Sequence, residues 1–166
     1  MTTGEYRIRA ATPEDAAVIA RHRGAMFRSM GNVDDAAAAK IAVASLPLLN
    51  EMLARGEYLG WLVVYNDEFV AAGGGMVLRK LLPRPNALQG GTESLIVNVY
   101  TEPEHRRRGL ARRVMQTMLD WCRQHQVANV VLHASDEGRP LYQNLGFIQT
   151  NEMRWQAHRP DHQKDQ

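Results

Sequence analysis

Apolar and polar residues alternate with changing period along the chain, and each period points to an element. Tyr6-Arg7-Ile8-Arg9 alternates with period two, as a half-buried strand does. Thr12-Pro13-Glu14-Asp15 reads as a helix start, with Thr as cap, Pro at the first helical position and acids in the first turn. That helix is expected to run to about Met30, where Gly31-Asn32 stops it. Residues 34–55 are alanine-rich and helical in pattern; Pro47 is expected to break or kink them, and Gly56 closes them. Residues 58–65, rich in Trp, Leu and Val, read as a strand, Asn66-Asp67 as a tight turn, and residues 68–78 as the returning strand. Gly73-Gly74-Gly75 lies inside that strand and implies a bulge or the close approach of another group. Prolines and glycines make residues 79–92 a loop.

Residues 94–101 form the next strand, with Leu95, Val97 and Val99 on one face, and a break follows at Glu102-Pro103-Glu104. The clearest helix spans 109–125, where Leu110, Val114, Met118 and Trp121 make an apolar stripe. Residues 129–134 are nearly all apolar, the pattern of a central buried strand. Residues 139–145 read as a short helix ended by Gly146, then Phe147-Ile148 and residues 152–156 as two last strand pieces. This order implies an α/β fold whose mixed central sheet, mostly antiparallel, holds one parallel pair and is flanked by helices.

Length and composition narrow the class. A chain of 166 residues suits one domain, expected over 1–157, with a polar tail over 158–166. Apolar residues make up 45% and charged residues 23%, so disorder is excluded outside the ends. A net charge of +2 is too weak for a whole-surface attraction to nucleic acid. The single cysteine, Cys122, excludes an internal disulfide, and no Cys/His pairs stand at zinc spacing, so no metal site is expected. No apolar run is read as approaching the roughly 18 residues of a membrane helix, and the first residues lack a signal-peptide profile. These features point to a soluble cytoplasmic protein without nucleic-acid or membrane partners.

One constellation carries chemistry. Arg106, Arg107, Arg108, Arg112 and Arg113 crowd into the entry of the long helix, around Gly109-Leu110-Ala111. A helix start leaves about four N–H groups unpaired and carries partial positive charge. Gly109 permits a tight turn with close ligand approach, and Ala111 keeps the first helical turn narrow. Together they describe a phosphate site. The bland reading is a solvated, arginine-rich helix entry.

The stretch Val99-Tyr100-Thr101-Glu102-Pro103-Glu104-His105-Arg106-Arg107-Arg108-Gly109-Leu110-Ala111 resembles the central motif of the GCN5-related N-acetyltransferases (GNAT), Gln/Arg-x-x-Gly-x-Gly/Ala after a strand ending in Val-x-Pro-Glu. Arg106, Gly109 and Ala111 fill its fixed places, and Thr101 stands where Val is usual. Leu141-Tyr142-Gln143-Asn144-Leu145-Gly146-Phe147 resembles the family's Leu-Tyr-x-x-Leu-Gly-Phe. The resemblance implies a splayed parallel strand pair in the sheet. It implies that Val99, Tyr100 and Thr101 pair through their backbone with the pantetheine arm of acetyl-CoA, the acyl donor, while Arg107 through Arg112, including Arg108 and Leu110, hold its pyrophosphate. It further implies that Tyr142 contacts the CoA sulfur and protonates the leaving thiolate, as a phenol of pKa near 10 can.

Other roles stay open. Some relatives carry a glutamate on the strand before that tyrosine, where this chain has Val131. Asn98, Glu93 and His133 are substitutes, and water is another; Asn98, in mid-strand, can orient a water or the amine. Ser135 can take a pantetheine contact that an Asn makes in many members. Arg139 can reach a phosphate or carboxylate, or Asp136 can simply cap the helix entry. Cys122 has no placed base and reads as buried packing. The acceptor pocket is expected to be built from the first two helices, the Gly73–Gly75 strand and the 79–92 loop, with Arg23, Met26 and Phe27 on the first helix lining it. The expected activity is transfer of an acetyl group to the amine of a small molecule or amino-acid-like metabolite by direct attack. The alternative is a non-catalytic acyl-CoA sensor, and a homodimer is the expected assembly if the chain associates.

Overall fold

The computed structural model describes residues 4–127 and 129–157; the tail expected over 158–166 lies outside the described residues. Five strands, β1 (Tyr6–Ala10), β2 (Tyr58–Tyr65), β3 (Phe69–Leu81), β4 (Gly91–Thr101) and β5 (Asn129–Leu132), form one sheet in the order β1-β2-β3-β4-β5. The β4–β5 pair is parallel and the other three are antiparallel. The expected mixed α/β architecture is therefore present.

Helices α1 (Ala16–Ser29) and α2 (Asp35–Ala54) cover one face. Ile19, Leu49, Tyr58 and Leu62 are buried together there. Helix α3 (Leu110–Gln124) covers the other face, burying Val114, Met115 and Met118 against Met76 and Ile96. The short α4 (Arg139–Asn144) adds Tyr142 to the edge of that second core. The chain enters α1 through a single 3-10 turn, where Asp15 accepts from the Thr12 N–H at 2.7 Å and from Arg9 at 2.8 Å.

Several expectations are corrected. Pro47 lies inside a continuous α2, on its exposed side, and does not interrupt the helix. By length and composition α2 also meets the requirement for crossing a membrane, contrary to the reading that no apolar run comes near that length; in the fold it packs along α1, with Gly24 against the Ala38 carbonyl. The loop expected over 79–92 is shorter, because Arg79, Lys80 and Leu81 still pair with Glu93, Thr92 and Gly91. Among the described residues strand β5 is an edge strand and only partly buried, not a central one. Phe147-Ile148 and residues 152–156 form no strand; Phe147 packs at the edge of the α3 core, while Ile148, Met153 and Trp155 are exposed.

The triple glycine of β3 is explained by close approach on both faces. A Cβ on Gly74 would lie 2.9 Å from Val114 Cγ1 and 3.2 Å from Met118 Cε, so its absence lets α3 settle on the sheet. A Cβ on Gly75 would overlap the Tyr58 hydroxyl on the opposite face.

Candidate functional site

The parallel pair stays in register from Glu93 opposite Asn129 to Ile96 opposite Leu132. Strand β5 then ends while β4 continues to Thr101. Residues 97–101 therefore have no strand partner on the β5 side among the described residues, which leaves backbone groups facing a gap. A bulge coincides with the departure. Gly75 faces Val97 but Gly73 faces Tyr100, so β4 holds one extra residue there. Asn98 takes it up with φ +60, a left-handed conformation that Asn tolerates better than most residues. The bulge turns both Val97 and Asn98 toward α1 and α2, while Val99 returns to the α3 side.

The bulge residue is tied on both sides. Arg23 Nη1 donates to Asn98 Oδ1 at 2.7 Å, and Asn98 Nδ2 donates to the Tyr58 hydroxyl at 3.2 Å. Burial pushes Tyr58 up to about 12, so this phenol stays neutral.

After β4 the chain makes a 3-10 turn, Pro103–His105, and enters the arginine-rich segment. Arg107 has φ +59 and Gly109 φ +74, with Arg108 outside the left-handed region between them. Two left-handed residues so close together bend the backbone sharply at the entry of α3, whose first N–H groups have no partner within the helix. Leu110 anchors the turn, 4% exposed in the α3 core. Arg106 braces it: its Nε donates to the Thr101 carbonyl at 3.0 Å and its Nη2 to Ser29 Oγ at 3.1 Å. Arg113 is turned elsewhere, donating to the Tyr6 carbonyl at 2.9 Å.

The gap and the turn open into one cavity of about 1140 Å³. Its lining includes Asn98, Val99, Tyr100, Thr101, Arg106, Arg107, Gly109, Leu110, Ala111, Arg112, Ser135 and Tyr142, so nearly all the residues singled out in the sequence meet there. Arg108 is exposed and does not line it. Arg23, Met26, Phe27 and His133 line it too, but the other walls expected for an acceptor pocket do not: no residue of α2, of Gly73–Gly75 or of 79–92 lines this cavity. Glu93 does not: its carboxylate is occupied by Arg79 and Asn129, which removes it as a base in this cavity. Arg139 pairs with Asp136 at 3.2 Å and also stays outside the lining. Asp136 does not cap the helix entry: the N-cap of α4 is Gly138, which has no side-chain cap, and in the turn before it Ser135 Oγ accepts from the Gly138 N–H at 3.2 Å. Cys122 is buried in the core against Met76. Tyr142 faces the cavity from α4, edge-on to Phe147, and burial raises its pKa.

Sequence reasoning missed two features. Glu137 and Arg154 also line the cavity, and neither falls in a motif. His22 is buried, with Nε2 3.2 Å from Glu102 Oε1 beside the Tyr100 ring. Burial, reinforced by the charge of Arg21, lowers its pKa to about 4 against the pull of Glu102, so His22 is neutral near pH 7. Only the Pro-Glu turn gave a sign that Glu102 matters.

Residues 20–147 match the family model described as Acetyltransferase (GNAT) family. The sequence matches no curated protein. Among solved structures, the chain resembles a GCN5-related N-acetyltransferase from Ralstonia eutropha JMP134 at 30% identity and TM-score 0.83, covering 92% of this chain and 99% of that one. It also resembles a predicted acetyltransferase from Clostridium acetobutylicum, solved with acetyl-CoA, at 21% identity and TM-score 0.79, covering 92% and 96%. An aminoglycoside acetyltransferase from an uncultured soil metagenomic sample shares the fold at 11% identity and TM-score 0.70, covering 94% and 99%.

Proposed function

The chain belongs to the acetyltransferase (GNAT) family, and from that premise we propose that it moves an acetyl group from acetyl-CoA to the amine of a small molecule or amino-acid-like metabolite. One observation carries the proposal: the unpaired stretch of β4, the left-handed turn at Arg107–Gly109 and Tyr142 all face one cavity. The residues fit the donor. Val99, Tyr100 and Thr101 offer backbone groups along the gap, as an added strand requires. The start of α3 offers unpaired N–H groups with Arg107 and Arg112 beside them, suited to a pyrophosphate. Acetyl-CoA supplies an activated acetyl group as a thioester, which the neutral amine attacks directly.

The protein's part is to position and to move one proton. Tyr142 holds its proton at the phenol, and burial keeps it there throughout the neutral range. That proton goes to the departing sulfur. Asn98, fixed between Arg23 and Tyr58, acts as a positioning residue beside the reacting end of the gap. Ser135 Oγ accepts from the Gly138 N–H, and the Gly138 carbonyl accepts from the Tyr142 N–H, which ties the turn before α4 to the tyrosine. With Glu93 engaged elsewhere, His133 and solvent remain to take the amine's proton.

A panel of amines, scored by free thiol released from acetyl-CoA, tests the reading. Amine-dependent thiol release with acetylated product supports it. Tight acetyl-CoA binding with no release for any amine contradicts it and leaves a sensor.

A further inference from the structure

We infer that Arg23 is the anchor for an anionic group on the acceptor, so that the preferred substrate is an amine that also carries a carboxylate or a phosphate. This deepens the acetyltransferase reading and rests on it.

Helix α1 carries arginines in different circumstances. Arg21 lies 2.6 Å from Glu102, and Arg28 pairs with Asp35. Both are at least half exposed, yet each has an acid. Arg23 is partly buried, lines the cavity, and has no carboxylate oxygen within 4.0 Å among the described residues. Its guanidinium is held at one Nη by Asn98 and lies 5.1 Å from the Phe27 ring. A guanidinium has five N–H donors, and a neutral amide satisfies one. A cation with its other donors free at a cavity wall is completed by a bidentate oxyanion.

Arg23 does not belong to the pyrophosphate turn. Arg106 at that turn reaches Ser29, which lies six residues along α1 from Arg23, or about 9 Å at the usual helical rise. Along β4, Asn98 is three residues from Thr101, again about 10 Å. Arg23 thus stands at the other end of the exposed stretch, where the acceptor must approach. The fork is pre-set by Asn98 and Phe27, so an anion meets it already oriented.

The test uses matched pairs: amino acids against their carboxamides, and O-phosphoethanolamine against ethanolamine. For wild type, kcat/KM is expected to favour the anionic member of at least one pair by roughly 10- to 100-fold. The pair that shows it identifies carboxylate or phosphate. Arg23→Gln should erase that ratio. Asn98→Asp, which gives Arg23 an internal carboxylate, should also erase it, and a ratio does not depend on how much protein folds. Wild-type ratios near one in every pair would overturn the inference while leaving the transferase reading intact, as would ratios that survive both substitutions. Calorimetry on the same pairs separates the two claims. Anion-selective binding that is lost on Arg23→Gln, without thiol release, supports the anchor and overturns the transfer reading.

Discussion

At the scale of single residues, protonation decides what the site can do. In the proposed reaction Tyr142 is the proton donor, and burial raises its pKa, so it is protonated at neutral pH. Tyr142→Phe is expected to lower kcat by about 100-fold, within the usual range for a general acid, with acetyl-CoA affinity little changed. Stopped-flow or steady-state thiol release checks this; unchanged kcat would take Tyr142 out of the chemistry. His22 makes a different prediction. Its pKa is lowered in the fold to about 4 from an ordinary 6.5, chiefly by burial, so the unfolded chain binds the proton more readily. Its contribution to stability is therefore complete above pH 6.5 and is lost as pH falls toward 4. Denaturant melts of the wild type should weaken across that window more steeply than those of His22→Gln. Parallel curves for the two proteins would show that His22 does not titrate with folding.

At the scale of elements, the β3 glycines and the β4 bulge are coupled. Gly75→Ala would push a methyl group into the buried Tyr58, which cannot swing away, and overpacking of this kind costs about 1–3 kcal/mol. The melting temperature should drop by several degrees, and catalysis should suffer as well, because Tyr58 holds Asn98. A variant as stable and as active as wild type would contradict this packing. The start of α3 was legible in the sequence because it depends on local chemistry: a glycine with φ +74, a small residue and a buried leucine within three positions. The bulge at Asn98 was not, since an extra residue in a strand shows only against its partner's register. Pro47 misled for a related reason, because α2 keeps it on the exposed side, where the lost hydrogen bond is left to water. The last strand pieces failed because an apolar pattern says nothing of which edge, if any, will receive it. The Arg23–Asn98 bond joins residues 75 positions apart, and no local pattern encodes that.

At the scale of the molecule, one sheet arranges the parts of the proposed site. Antiparallel strands bring α1 and its arginine to one face, the parallel pair opens between β4 and β5, and α3 starts at the open end. The central claim is that this opening receives acetyl-CoA with its pyrophosphate on the Arg107–Gly109 turn. Gly109 is the sharpest probe. A Cβ there meets nothing within 4 Å, so the core is undisturbed, but φ +74 is strained for a β-branched residue and the turn must change shape. Calorimetric titration of acetyl-CoA into wild type and Gly109→Val, with matched circular dichroism spectra, measures this directly. The account predicts binding by the wild type and at least a tenfold loss of affinity in the variant at similar helix content. Equal affinity in the two proteins, or no binding by the wild type, would contradict it.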